Sequence, residues 1–346
     1  MFRPRLPSLL LLPIVTLPLL LVIMYFQSTI VTVLTFTDVI VGGRKQRTVK
    51  VSSESRDGVI ILGMHRSGTS MLAGLLVRMG LQTGGPLLPP AKDNKRGFFE
   101  RYDLVSQNTI LMQLQHVQYA FNTQYYDPIK GLDLARSNSS LFDRGRQMLE
   151  FLKDPLNHPY LLKDPRLCIT LPTWLPLLNN PPAILFIYRH PFDVALSLHK
   201  REQEHSHFPI VRGLRLWYVY NRKAIQQSQS LCRVVTSYDR VVSSTKREMN
   251  RIYNELRTSC GVSVPHQITE EDVNYFVDPS LQQKSPKLGI DFCDQHTNTT
   301  VPPIAWPEPS ASEIEVYLRM ISTFCAMEKG EAFLSTFEWD NDMSDA

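Results

Sequence analysis

The sequence predicts an α/β protein, a three-layer sandwich around a mainly parallel sheet that follows an N-terminal transmembrane segment. Short apolar runs near residues 59, 160, 183 and 232 have the length and composition of buried strands. Helical patterns separate or follow them at 107–122, 213–229, 245–259 and 310–337, the last with a capping box at Ser310 and Glu313. Strands that alternate with helices form parallel sheets, which bind ligands beyond the carboxyl ends of their strands. We therefore expect the ligand site at that edge.

The first strand is followed by a loop of the kind that binds phosphate. Gly63 and Gly68 bracket the turn, and Thr69 and Ser70 begin a helix whose first amide groups attract anions. The spacing is that of a Walker A loop, except that Thr69 replaces the lysine. A nucleoside-triphosphate enzyme needs that lysine and an acidic partner for magnesium. Here Arg66 supplies the cation, so the loop predicts a phosphate-like ligand held without a metal.

Two later strands also end in cations. Lys163 ends the run at 160–163, and Arg189 directly follows the run at 183–188. Ser197 lies eight positions beyond Arg189, inside a helix that begins at Pro191. An arginine at a strand end and a serine on the next helix can hold a second phosphate between them.

These residues resemble the sulfotransferase superfamily, whose donor is 3′-phosphoadenosine-5′-phosphosulfate (PAPS). The loop is similar to the 5′-phosphosulfate loop of that family in its Arg-Ser-Gly-Thr form. The resemblance covers residues 59–244 and implies a P-loop-like sulfotransferase fold. It assigns these loop residues to donor binding: His65, Arg66, Ser67, Gly68, Thr69 and Ser70.

The later motifs extend the resemblance to the rest of the donor. Arg189 and Ser197 match the 3′-phosphate motif of the family in type and spacing. Lys163 is similar to the lysine of tyrosylprotein sulfotransferases that reaches the sulfuryl group. Tyr238 is similar to a tyrosine that contacts the nucleotide in some members.

The predicted catalytic residues are Arg66, Lys163 and Glu100. Arg66 and Lys163 would stabilise the negative charge that grows on the leaving phosphate oxygen. The acceptor hydroxyl needs a base, and Glu100 follows an aromatic pair, Phe98 and Phe99, that would desolvate it and raise its basicity. His65 is the second candidate for the base.

The first 41 residues differ in character from the rest. Arg3 and Arg5 precede an apolar stretch at 6–26 that is long enough to span a bilayer. No small-residue cleavage signal follows, since the first alanine is Ala73. We therefore expect a signal anchor and stem at 1–41, a linker at 42–57 and the sulfotransferase-like domain at 58–346. The basic residues on both sides of the stretch leave its orientation open.

Asn138 and Asn298 are in glycosylation sequons, which favours a lumenal domain on a single-pass Golgi protein. The cysteines predict one or two disulfides and a free thiol; they are Cys168, Cys232, Cys260, Cys293 and Cys325. The formal net charge of +4 over 346 residues is mild and, without a basic stripe, excludes nucleic acid as a partner.

The sequence thus predicts a PAPS-dependent sulfotransferase that modifies a hydroxyl acceptor in the secretory pathway. A hydroxyl group of a glycan or glycoprotein is the first choice of acceptor, and a protein tyrosine is the second. Two alternatives remain. One is a kinase or nucleoside-triphosphate hydrolase with a degenerate P-loop, and the other is an anchored domain that binds nucleotide or glycan without turnover.

Overall fold

The computed structural model describes residues 35–41, 44–50, 55–92, 94–203, 207–276, 293, 306 and 308–341. The chain forms two compact units, Met1–Ser53 and Glu54–Ala346. In the first, β1 (Thr35–Val41) and β2 (Arg44–Lys50) pair as an antiparallel hairpin, where the sequence predicted stem and linker. No helix in the described ranges is long and apolar enough to cross a bilayer, and the predicted span at 6–26 lies outside them.

The second unit contains a parallel sheet of four strands. These are β3 (Gly58–Leu62), β4 (Tyr160–Lys163), β5 (Ala183–Tyr188) and β6 (Arg233–Ser237). They lie in the order β4-β3-β5-β6, and every neighbouring pair is parallel. The four predicted strands and their parallel arrangement are confirmed.

Helices surround this sheet. Before β5 the chain forms α1 (Thr69–Arg78), α2 (Tyr102–Gln113), α3 (Pro128–Arg136), α4 (Asp143–Lys153) and α5 (Leu167–Trp174). After β5 it forms α6 (Pro191–Glu202), α7 (Ile210–Gln227), α8 (Tyr238–Ser243), α9 (Thr245–Thr258), α10 (Glu270–Phe276) and α11 (Ala311–Glu328).

The sheet separates two hydrophobic cores, because alternate side chains of each strand point to opposite faces. Ile60 and Leu62 of β3 pack with α2, α5, α6, α7 and α11, whereas Val59 and Ile61 pack with α1, α8, α9 and α10. Helices therefore cover both faces, which is the predicted three-layer sandwich.

Two helices differ from the prediction by more than three residues at one end or both. α2 lies closer to the N-terminus than 107–122, because His116 takes a left-handed φ of 57° and the Val117 amide closes the turn onto the Met112 carbonyl. α11 ends at Glu328 rather than near 337, since Gly330 has a φ of 81°. The capping box predicted at its start is present.

The cysteines form two disulfides and leave one thiol free, as predicted. Cys232 pairs with Cys260, and Cys293 pairs with Cys325. Cys168 is free and buried, and its Sγ accepts a hydrogen bond from the Gly63 amide at 3.2 Å. The free thiol thus holds the start of the phosphate-type loop.

Candidate active site

The phosphate-type loop connects β3 to α1 at the carboxyl end of the sheet. Gly68 precedes α1 with a left-handed φ of 87°, and a Cβ there would lie 2.6 Å from the ring of Tyr238. A Cβ on Gly63 would lie 2.5 Å from the Ile187 carbonyl oxygen. Both positions therefore require glycine. No side chain of the described residues caps α1, so its first amide groups can bind an anion.

Arg66 joins this loop to the residues predicted for the 3′-phosphate. Its φ is 69°, which is uncommon for a residue other than glycine. Its Nε donates to Ser197 Oγ at 3.0 Å, and its carbonyl oxygen accepts from Arg189 Nη1 at 3.4 Å. The Arg189 guanidinium lies 4.3 Å from the centre of the Tyr238 ring and 3.6 Å from the carboxylate of Asp193. The predicted donor residues are thus in mutual contact.

Lys163 and Glu100 form a buried ion pair beside the loop. Lys163 Nζ lies 2.5 Å from Glu100 Oε1, and the two side chains are 2% and 8% exposed. Lys163 also donates to Ser70 Oγ at 3.0 Å, and the same oxygen accepts from Asn94 Nδ2 at 3.0 Å. Burial raises the pKa of Glu100, and the charge of Lys163 opposes that shift.

These groups line one cavity of about 470 Å³ at the carboxyl ends of the four strands. Of the predicted site residues, the cavity is lined by His65, Arg66, Gly68, Thr69, Ser70, Glu100, Lys163, Arg189, Ser197 and Tyr238. Ser67 is the exception: it is fully buried, and its amide donates to the Met64 carbonyl at 3.1 Å. Ser67 therefore shapes the turn instead of lining the cavity.

His65 lies between two tyrosine rings, 5.3 Å from Tyr119 and 5.6 Å from Tyr220 between ring centres. Its Nε2 is buried and has no hydrogen-bond partner within the described ranges. Burial, and then the nearby charges of Arg166 and Arg201, keep the pKa of His65 well below its ordinary value. The imidazole is therefore neutral near pH 7 and a weak base.

Arg166 lines the cavity and has no role in the sequence prediction, although it lies in the same charged turn as Lys163. Its Nη1 donates to Asp164 at 3.0 Å, and the Asp164 carboxylate is fully buried. Asp164 also accepts from Asn108 Nδ2 at 2.8 Å, and Asn108 Oδ1 accepts from Trp174 Nε1 at 2.8 Å. A buried network thus fixes the guanidinium. The only indication of this role in the sequence was the position of Arg166 in the charged turn after Lys163.

Arg201 and Glu202, at the end of α6, also line the cavity and were missed. Arg201 Nε donates to Glu202 at 2.7 Å, and Tyr119 OH donates to the same carboxylate at 2.6 Å. Tyr220 OH holds the Tyr119 carbonyl at 2.7 Å. Arg201 lies one helical turn beyond Ser197, and this spacing was the only signal in the sequence.

No protein-family model matches the sequence, and no curated protein matches it. The chain is similar in structure to solved sulfotransferases. The sulfotransferase domain of an olefin synthase from Synechococcus is 14% identical, with a TM-score of 0.40 over 78% of this chain and 96% of that domain. A sulfotransferase domain from the curacin biosynthetic pathway is 15% identical, with a TM-score of 0.42 over 78% and 98%.

Retinol dehydratase, solved with androsterone and the inactive cofactor PAP, is 12% identical, with a TM-score of 0.31 over 89% of this chain and 92% of that one.

Proposed function

We propose that the protein transfers the sulfuryl group of PAPS to a hydroxyl group of a carbohydrate in the secretory pathway. The observation that carries the proposal is the convergence of Arg66, Lys163, Arg189 and Ser197 on one cavity that also contains a carboxylate with a raised pKa. The four side chains come from three different strand ends and one helix, so their assembly is not a consequence of sequence proximity.

In this proposal, different residues of the cavity bind the two anionic ends of the donor. The amide groups at the start of α1 and the side chain of Arg66 would hold the 5′-phosphosulfate. Arg189 and Ser197 would hold the 3′-phosphate, with the Tyr238 ring already stacked on the Arg189 guanidinium. In this proposal the donor binds without a metal ion.

The reaction is an in-line displacement at sulfur. The acceptor oxygen forms a bond to sulfur while the bond from sulfur to the 5′-phosphate oxygen breaks. Arg66, Lys163 and the loop amides stabilise the charge that moves onto that phosphate oxygen. The acceptor proton passes to Glu100, whose raised pKa suits a general base.

Lys163 and Glu100 are paired with each other. An acceptor hydroxyl that donates to Glu100 would weaken this pair. Lys163 would then be able to turn toward the leaving oxygen. The ion pair therefore supports a cycle in which both partners act on the reacting groups.

Ligand-induced thermal stabilisation of the full chain tests the donor. We expect 3′,5′-adenosine bisphosphate (PAP), at a hundred times its Kd, to stabilise the protein by about 2.7 kcal/mol without magnesium. The melting temperature would rise by roughly 5 °C or more. 5′-AMP should stabilise it much less, because it lacks the 3′-phosphate that Arg189 and Ser197 contact.

Two outcomes would contradict the proposed function. Stronger stabilisation by ATP, dependent on magnesium, would favour the kinase or hydrolase alternative. Stabilisation by PAP without any transfer from PAPS to glycan acceptors would favour the non-catalytic alternative.

Steady-state kinetics distinguishes donor binding from chemistry. Arg189→Ala should raise the KM for PAPS about 10- to 100-fold with little change in kcat, since the 3′-phosphate does not react. Lys163→Ala should instead lower kcat by about 100-fold or more. The reverse pattern would show that the two roles are wrongly assigned. Ser197→Ala should resemble Arg189→Ala but lower kcat slightly, because Ser197 orients Arg66.

A further inference from the structure

The cavity has two chemically different ends. Arg189, Ser197 and Tyr238 form one end and are tied to the loop through Arg66. His65, Tyr119, Arg166, Arg201 and Glu202 form the other end, and the donor proposed above does not use Arg166 or Arg201. Since donor and acceptor must meet at the loop from opposite sides in an in-line transfer, the second end is the place for the acceptor.

Arg166 is a preorganised cation at this acceptor end. Its Nη1 donates to Asp164, which lies in the protein interior, and among the described residues this bond leaves the other N–H groups of the planar guanidinium for a ligand. Its charge acts on both Glu100 and His65, so it lies close to the proposed base. A group bound by Arg166 would therefore be near the reacting hydroxyl.

His65 adds a neutral hydrogen-bonding group. Its buried Nε2 has no partner in the part of the chain that the structure describes, and a buried polar atom of this kind favours a ligand that can complete its hydrogen bond. A hydroxyl group serves either tautomer of the ring, because it can donate or accept.

Arg201 brings a second guanidinium group to the acceptor end. Its guanidinium is held by Glu202 and by the Tyr119 hydroxyl, at 2.7 and 3.3 Å. Each arginine is paired with a carboxylate, Arg201 with Glu202 and Arg166 with Asp164, but Asp164 lies behind Arg166 and does not line the cavity. The charged groups that line this end are therefore two guanidinium groups and one carboxylate, and guanidinium N–H groups suit a carboxylate ligand.

We propose that His65, Arg166 and Arg201 form an acceptor subsite for a sugar hydroxyl that has a carboxylate on the same or the next ring. Arg166 and Arg201 bind the carboxylate, and His65 bonds a neighbouring hydroxyl. This inference rests on the proposed function and narrows it to acidic glycans. The side chains at this end carry hydrogen-bonding groups, which suits a polyhydroxylated ring better than the phenyl ring of a tyrosine.

Isothermal titration of the full chain saturated with PAP tests the subsite. The probes are a hexasaccharide of unsulfated chondroitin and the same hexasaccharide with its carboxyl groups reduced to alcohols. The wild type should bind the acidic form about tenfold or more tightly, as expected for a charged hydrogen bond. Arg166→Gln should bring the ratio of the two Kd values close to one, and Arg166→Lys should restore part of it.

Arg247→Gln is the matched control, because Arg247 is an exposed arginine of α9 that does not line the cavity. It should keep the wild-type ratio. Stabilisation by PAP, measured on each variant, shows that the fold and the donor site are intact. If PAP did not stabilise the wild type, the result would contradict the proposed function and would not bear on the acceptor subsite.

Three results would overturn the subsite. The wild type could bind both hexasaccharides equally or bind neither. Arg166→Gln could retain the full preference for the acidic form. A peptide with a tyrosine between acidic residues could bind the PAP-saturated protein more tightly than the acidic hexasaccharide, which would assign this end of the cavity to proteins.

Discussion

At the scale of single residues, the Glu100–Lys163 pair has consequences for both stability and catalysis. Both side chains are almost fully buried, so each is the other's main electrostatic partner. Removing one member of a buried pair leaves an uncompensated charge and typically costs about 3–5 kcal/mol. Glutamine at position 100 also removes the charge, but it keeps the shape and an oxygen that accepts from Lys163, so it disturbs the fold less than alanine would.

Glu100→Gln should lower the rate of transfer about a hundredfold or more, because the amide cannot take the acceptor proton. Binding of PAP should change little, since the proposed reaction assigns Glu100 to the acceptor proton and not to a phosphate of the donor. Single-turnover rates and PAP titrations measure the two effects. Glu150→Gln, an exposed glutamate of α4, is the control. Near-normal transfer by Glu100→Gln would move the role of base to His65.

Asp239 makes stability depend on pH. Burial raises the pKa of Asp239 to about 6, and Asp193 and Glu328 add to the shift while Arg189 opposes it. The folded protein therefore binds more protons than the unfolded chain between about pH 4 and pH 6, and its stability falls as the pH rises through that window.

Asp239→Asn removes this ionisation. At pH 7.5 it should increase the free energy of unfolding by about 1 kcal/mol, allowing for screening around a partly exposed group. At pH 4 the gain should disappear. Denaturant unfolding at both pH values measures the difference, with the exposed Asp133→Asn as control. An equal gain at both pH values would show that ionisation is not its cause.

At the scale of secondary-structure elements, α10 packs against both α1, which follows the phosphate-type loop, and Phe99, which precedes Glu100. Its Phe276 packs so closely on α1 that a Cβ on Gly74 would lie 2.1 Å from the ring, and the ring centre is 5.8 Å from that of Phe99. Phe99 has a strained φ of 55° directly before Glu100. The packing of α10 thus holds the backbone that positions the base.

Phe276→Leu should therefore lower kcat about tenfold while the Kd for PAP stays the same. Leucine keeps most of the buried apolar area but loses the flat contact with Phe99, so Glu100 can move away from Lys163. Tyr275→Phe, the neighbouring change on α10, keeps its ring over Arg78 and is the control. An unchanged kcat in a variant with a lower melting temperature would give Phe276 a purely structural role.

Local patterns predicted the central elements well. The loop and α1 follow from glycine spacing and apolar periodicity, and the capping box fixed the start of α11. The end of α2 could not be predicted, because His116 occupies the left-handed position where a glycine would have been the signal. α5 was missed for a related reason: it contains Pro172, which normally indicates a helix boundary.

At the scale of the whole molecule, the residues that line the cavity fall into two groups, those in local sequence motifs and those brought together by tertiary packing. Residues that belong to a motif, such as Arg66 and Arg189, were found because their spacing is local. Tyr119, in the loop after α2, meets Arg201 of α6 and Tyr220 of α7 through tertiary packing, and no local pattern links positions so far apart in the chain. Their role depends on tertiary structure alone.

The cellular location is also a property of the whole chain, and we expect a membrane-anchored protein with a lumenal catalytic unit. Asn138, the acceptor of one sequon, is exposed in the turn after α3 and can be reached by a glycosylating enzyme. In a eukaryotic host the full chain should shift on a gel after deglycosylation, and Asn138→Gln should reduce that shift. Asn180→Gln, which changes an exposed asparagine outside any sequon, should leave the shift unchanged.

The opposite topology has its own signature. An unglycosylated wild type that is digested by protease added outside intact microsomes would place the catalytic unit in the cytosol. The active-site chemistry would be unaffected, but secreted glycans would be excluded as acceptors because the enzyme would never meet them.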